Sequence, residues 1–183
     1  MLLRRLLLTT GALTGVLIAV AAPSFGGPRG VSGDPVLLVD DDAGAPMFQL
    51  AGMTVGTPHE RCMRVTNAGT RSVSTKVFAH TTGYLVNRLQ VEVTRGTLPG
   101  GTSFASCTGF TPDATVQTGM GPGVIFRGTL ADLATRSQLA TTDPGVWAAG
   151  ATRGYRFTVT LLGAPSNPSS SATATFVWKA RGA

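Results

Sequence analysis

Residues 47–69 read MFQLAGMTVGTPHERCMRVTNAG, and the second half of this stretch sets the class of the fold. From Arg61 to Thr66 the pattern alternates strictly: Met63 and Val65 face one way, Cys62, Arg64 and Thr66 the other. A period of two over six residues is the mark of a strand with one face buried. Upstream, Met47 begins a short strand that leads through a Gly/Pro-rich crossing. Downstream, Asn67-Ala68-Gly69 reads as a turn, because Asn and Gly tolerate a positive φ.

The same kind of unit repeats toward the C-terminus. Over 72–80, Val73, Thr75, Val77 and Ala79 share one face, and Ser74, Lys76, Phe78 and His80 the other. Over 87–95, Leu89, Val91 and Val93 point inward, and Gln90, Glu92 and Thr94 outward. An irregular, Gly-rich stretch runs from 96 to 123, and strand pattern resumes at 124–129. Residues 131–139 form the one expected helical turn, capped by Thr129 or Asp132. Asp143-Pro144-Gly145 reads as a turn. The cleanest strand covers 153–162, with Tyr155, Phe157, Val159 and Leu161 on one face. The last covers 172–179, with Ala174, Phe176 and Trp178 together. About seven short strands with turns between them predict an all-β fold, a single antiparallel β-sandwich of jelly-roll or immunoglobulin-like type.

The N-terminus reads differently. Arg4-Arg5 precede a mostly apolar run, and Ala19-Val20-Ala21 offers small residues at a cleavage site. Residues 1–26 are therefore expected to be a signal peptide, through the Sec or the twin-arginine route. The run is short for a bilayer span, so no permanent span is expected after cleavage. Removal leaves roughly 155–160 residues, enough for one core. Residues 27–45 form a Gly/Pro-rich flexible segment, followed by the sandwich over 46–183. Within the segment, Val36, Leu37, Leu38 and Val39 make a continuous apolar run, which suits a strand buried on both faces. Pattern alone favours the first strand of the molecule's own sandwich. The flexible leash also fits a strand donated to the open sheet edge of a neighbour.

The charges give little chemistry. Arg4 and Arg5 supply two of the six net positive charges. The other arginines are scattered singly, without the interleaved aromatics that would point to nucleic acid. Asp40, Asp41 and Asp42 invite a calcium reading, but they lack alternate-residue spacing and read better as a solvated loop. Cys62 and Cys107 are the only cysteines, and in an exported chain they predict a disulfide. It would pin the 96–123 loop over the outer side of the strand that carries Cys62. His59-Glu60 begins an H-E-x-x-H motif, yet the second ligand position is Met63 and the segment is a strand. No nucleophile elbow or phosphate loop occurs. The reading contains no catalytic, cofactor or metal residues.

The phrase x-L-x-x-M-x-x-G-x-x-x-x-R-C-x-x-V-T-N-x-G over residues 49–69, with RLQVEVTRG, SCTGFTP, GVIFRGTL, YRFTVTLL and TATFVWKAR further on, resembles the TasA/camelysin-type secreted proteins of high-GC Gram-positive bacteria. The resemblance covers about residues 47–181. It implies a jelly-roll-like sandwich, secretion, and assembly into fibres or a biofilm matrix, with an N-terminal strand completing the next subunit's sheet. Part of that family carries a metallopeptidase label, which the missing zinc-ligand motif does not support here. The leading expectation is a non-enzymatic structural or surface protein that self-associates through Val36–Val39. The alternative is a monomeric module that binds a cell-envelope protein or glycan, and a metallopeptidase comes third.

Overall fold

Tyr155, Phe157, Val159 and Leu161 are all buried, and their partners across the core are Phe176 and Trp178. Phe157 lies 4.5 Å from Phe176 and Tyr155 5.3 Å from Trp178, centroid to centroid. These contacts join two sheets, because the two aromatic pairs come from strands in different layers. A computed structural model of the protein describes residues 18–20, 36–135, 141–165, 167 and 170–183.

The described residues form, in chain order, β1 (Ile18–Val20), β2 (Leu38–Asp40), β3 (Pro58–Asn67), β4 (Val73–Gly83), β5 (Leu89–Thr97), β6 (Thr111–Pro112), β7 (Val124–Thr129), α1 (Leu130–Thr135), β8 (Thr141–Trp147), β9 (Thr152–Leu161) and β10 (Ala172–Gly182). One sheet has the order β1-β10-β4-β8. The other has the order β2-β3-β9-β5-β6, with β7 also on β5. All pairings of strands are antiparallel except β1 with β10, where Ile18 faces Ala172. The protein is an all-β sandwich, as the alternating segments predict. Beyond Ala174, the outer edge of β10 has no strand neighbour among the described residues.

Several elements depart from the sequence reading. Met47 begins no strand: Met47, Phe48 and Leu50 are buried in an irregular segment that plugs the core. Two adjacent buried residues cannot sit on one face of a strand, and Gly52 and Gly56 break the chain with positive φ. Asn67 does not adopt a left-handed backbone. It ends β3 fully buried, and its Nδ2 donates to the carbonyls of Arg71 (2.8 Å) and Ala148 (3.0 Å). Its side chain, rather than its backbone freedom, holds the turn to the β8–β9 connection.

Asp143-Pro144-Gly145 lies inside β8 and does not end an element. Val73 faces Trp147, while Thr75 faces Asp143, so three residues of β8 bulge between the two pairs where β4 has one. Proline is tolerated there because β8 is an edge strand, and Gly145 takes φ +82°. The helical turn forms at Leu130–Thr135 with both expected caps. Asp132 N donates to Thr129 Oγ1 (3.1 Å), and Thr129 N donates to Asp132 Oδ2 (2.8 Å). Residues 136–139 of the expected helical stretch lie outside the described residues.

Candidate functional site

The two expected site features sit on the same edge of the larger sheet. Cys62 and Cys107 are joined, with their Cα atoms 5.0 Å apart. Ala105 exchanges backbone hydrogen bonds with Cys62: Ala105 N donates to Cys62 O (3.0 Å), and Cys62 N to Ala105 O (3.4 Å). The bonded loop therefore takes the place of a neighbouring strand at that point of β3. It also lies flat on the outer face of β5, where a Cβ on Gly96 would come within 2.1 Å of the Thr111 carbonyl. That cover buries Thr94, which a reading of β5 alone places outward, while Arg95, the register partner of core-facing Tyr155, is buried on the inner side beside Asp143.

Further along the same edge of β3 lies the apolar run 36–39. Leu38, Val39 and Asp40 pair in register with Asn67, Thr66 and Val65. Ala68 N adds a hydrogen bond to Leu37 O (2.8 Å). Only Leu38 enters the core, at 3% exposure, whereas Val36, Leu37 and Val39 are 40%, 42% and 46% exposed. The run thus leads into β2 at the edge of the molecule's own larger sheet, with three of its four apolar side chains facing solvent.

The acidic triplet that follows does not converge on a common point. Asp41 accepts from Arg64 twice, from the backbone N and from Nε, both at 2.9 Å. Arg64 also donates to the carbonyls of Pro99 (3.3 Å) and Thr102 (3.4 Å), so it clasps the N-terminal segment to the loop. Asp42 turns inward and accepts from Gly44 N (2.7 Å). Burial, followed by the negative charge of Asp42, pushes the Asp40 carboxyl up to about 6. Among the described residues, no group of three His, Cys, Asp or Glu side chains is placed to hold a metal ion. His59 and His80 lie on β3 and β4, in different sheets.

One charged cluster escaped the sequence reading. Asp143 has a fully buried side chain and accepts from Arg95 Nη1 (2.7 Å), Arg153 Nη1 (3.0 Å), Thr75 Oγ1 (3.4 Å) and the Tyr155 hydroxyl. Arg95 Nε donates to Asp113 Oδ2 (2.5 Å), and both arginines donate to the Pro144 carbonyl. The Arg153 guanidinium lies 4.5 Å from the centre of the Trp147 ring. Burial drives the Tyr155 hydroxyl well above its ordinary range, and the Asp143 charge adds to the effect. For Arg95, burial opposes the charge, but hydrogen bonds to Asp143 and Asp113 outweigh it and leave the guanidinium more firmly protonated. Both oxygens of Asp143 are engaged, so the group has no lone pair poised for a substrate. The cluster bolts β4 and β8 of one sheet to β5 and β9 of the other.

A buried ion network, a disulfide-held loop and an apolar edge strand define a stabilised all-β sandwich with one sparsely held edge. No protein-family model matches the chain, and no characterised protein matches its sequence. Among the described residues, no helix is long and apolar enough to cross a membrane.

Proposed function

We propose that the protein is a secreted, non-enzymatic structural protein of the cell surface that assembles by exchanging its N-terminal strand, in the manner of the TasA/camelysin-type proteins it resembles. The observation that carries the reading is the edge run 36–39, which leads into β2 and has three exposed apolar side chains, Val36, Leu37 and Val39, beside a single buried anchor, Leu38. An exposed apolar edge is an aggregation liability that proteins ordinarily blunt with charge or cover. A strand held by one buried side chain can leave its own β3 edge and dock in the same register on that of a second copy. The contacts made there are those already seen within one molecule, so exchange needs no new recognition surface.

The energetics suit exchange. Withdrawing β2 exposes Leu38, at about 2 kcal/mol. It also opens the Asp41–Arg64 pair, whose side chains are 18% and 23% exposed, at roughly 1.5–3 kcal/mol for hydrogen bonds to a charged group. Each is recovered in the partner. Donor and acceptor are different surfaces, so assembly runs head to tail and builds filaments. The disulfide is compatible with an oxidising, extracellular setting.

The test is light scattering and negative-stain microscopy of the processed protein, with and without residues 27–42. The proposal predicts concentration-dependent filaments that vanish on truncation. A monodisperse monomer in both forms overturns it.

A further inference from the structure

The chain contains two lysines, Lys76 and Lys179, far apart in sequence. The register of β4 and β10 makes them direct cross-strand partners. Both are exposed on the outer face of the smaller sheet, since Val77 and Trp178 beside them point into the core. Side chains directly opposite stand roughly 5 Å apart at Cβ, and like charges there are destabilising. The next pair on the same face is Ser74 with Arg181, which adds a third exposed cation one row along, roughly 7 Å away.

Among the described residues of β4 and β10, nothing on this face balances the charge. The rows Ser74–Arg181, Lys76–Lys179, Phe78–Val177, His80–Thr175 and Thr82–Thr173 contain no acidic residue. Neither lysine nor Arg181 has an ion-pair partner among the described residues. On the outer face of the other sheet, by contrast, Glu60 and Glu92 pair with Arg156 and Arg127. The fold thus neutralises cations on one face and concentrates them on the other.

We infer that the outer face of β4 and β10 binds a linear, base-free phosphodiester polymer through Lys76, Lys179 and Arg181. The face is a sheet surface with cations in successive rows, which fits an extended polyanion running along the strands. The two ammonium groups act as point charges toward phosphate, and the Arg181 guanidinium adds a fork that matches phosphate oxygens. Nucleic acid fits less well, because single strands need free aromatic faces on which successive bases stack. The aromatic rings here, Phe78 and His80, are packed edge to face against each other at 5.3 Å. This inference is independent of strand exchange, which involves β2 and β3 of the other sheet.

The test titrates the full chain with synthetic poly(glycerol phosphate) and with a single-stranded oligonucleotide of equal phosphate number, at two salt concentrations. The expected result is salt-sensitive binding of poly(glycerol phosphate). The double variant Lys76→Gln/Lys179→Gln weakens it by about tenfold or more at low salt, and the log–log salt slope falls by about 1.4. Its melting temperature equals or exceeds that of the parent, because a repulsive pair has been removed. The variant Arg61→Gln/Arg88→Gln, with the same change in net charge elsewhere, stays within about twofold of the parent. Equal weakening in both variants, or none in the lysine variant, overturns the inference. Tighter binding of the oligonucleotide through the same lysines overturns the assignment of the ligand.

Discussion

Replacing Asp143 by Ala removes the carboxylate shared by Arg95 and Arg153 and leaves both guanidinium groups facing a site built for an anion. Arg153 keeps the Pro144 and Val146 carbonyls and the Trp147 ring, and Arg95 keeps Asp113. The Tyr155 hydroxyl loses its carboxylate acceptor in a fully buried position. Breaking a buried ion pair on one side costs about 3–5 kcal/mol, and the surviving Arg95–Asp113 pair places this case near the lower end. For a domain of this size, about 3 kcal/mol corresponds to a fall in melting temperature of about 10 °C. Urea unfolding followed by tryptophan fluorescence reads the loss directly. Asp143→Asn should fall between parent and Ala, because it keeps an acceptor oxygen without the charge. A loss below about 1 kcal/mol for Asp143→Ala would refute the claim that this cluster bolts the sheets together.

Other predictions concern smaller changes. Arg127→Ala breaks a pair with Glu92 whose side chains are 44% and 24% exposed, and it should cost less than about 1 kcal/mol by the same urea assay. Removing both Cys62 and Cys107 as Ser should cost up to about 4 kcal/mol, measured by calorimetry, because the bond closes a loop of 45 residues. Asp41→Ala should release the Arg64 clasp and speed exchange of the Val39 amide against deuterium. The raised Asp40 carboxyl means that the folded chain binds a proton that the unfolded chain does not hold between about 4 and 6. Docking of β2 should therefore be firmest in acid and weaken as the pH rises through about 6. Amide protection of Val39, corrected for intrinsic exchange, should follow that course, and Asp40→Asn should flatten it.

The strands whose faces are set by the core were legible in the chain. From Tyr155 to Leu161 in β9 and from Ala172 to Trp178 in β10 every second residue is apolar, and burial follows that alternation. The paired cysteines were legible on other grounds, as the only two in a chain expected to be exported, and alternation in β3 set the face on which they join. What the sequence hid depends on contacts between distant segments. Arg95 looks like the polar end of a strand until Asp143 and Asp113 pair with it, and Asp143 looks like the first residue of a turn until β8 runs on through the bulge. Asn67 reads as a flexible turn residue, whereas its amide is what joins two connections. The Lys76–Lys179 pair depends wholly on the register between β4 and β10, which alternation within either strand does not specify.

Strand exchange is tested most directly by trapping the strand. Val39 and Thr66 are register partners on β2 and β3, so Val39→Cys with Thr66→Cys places two thiols across the edge. The doubly substituted chain is oxidised over a range of protein concentrations and resolved on a non-reducing gel. Exchange predicts a ladder of covalent multimers that grows with concentration and collapses to monomer on reduction. A single monomeric band at every concentration, with the new thiols bonded within one chain, would contradict it.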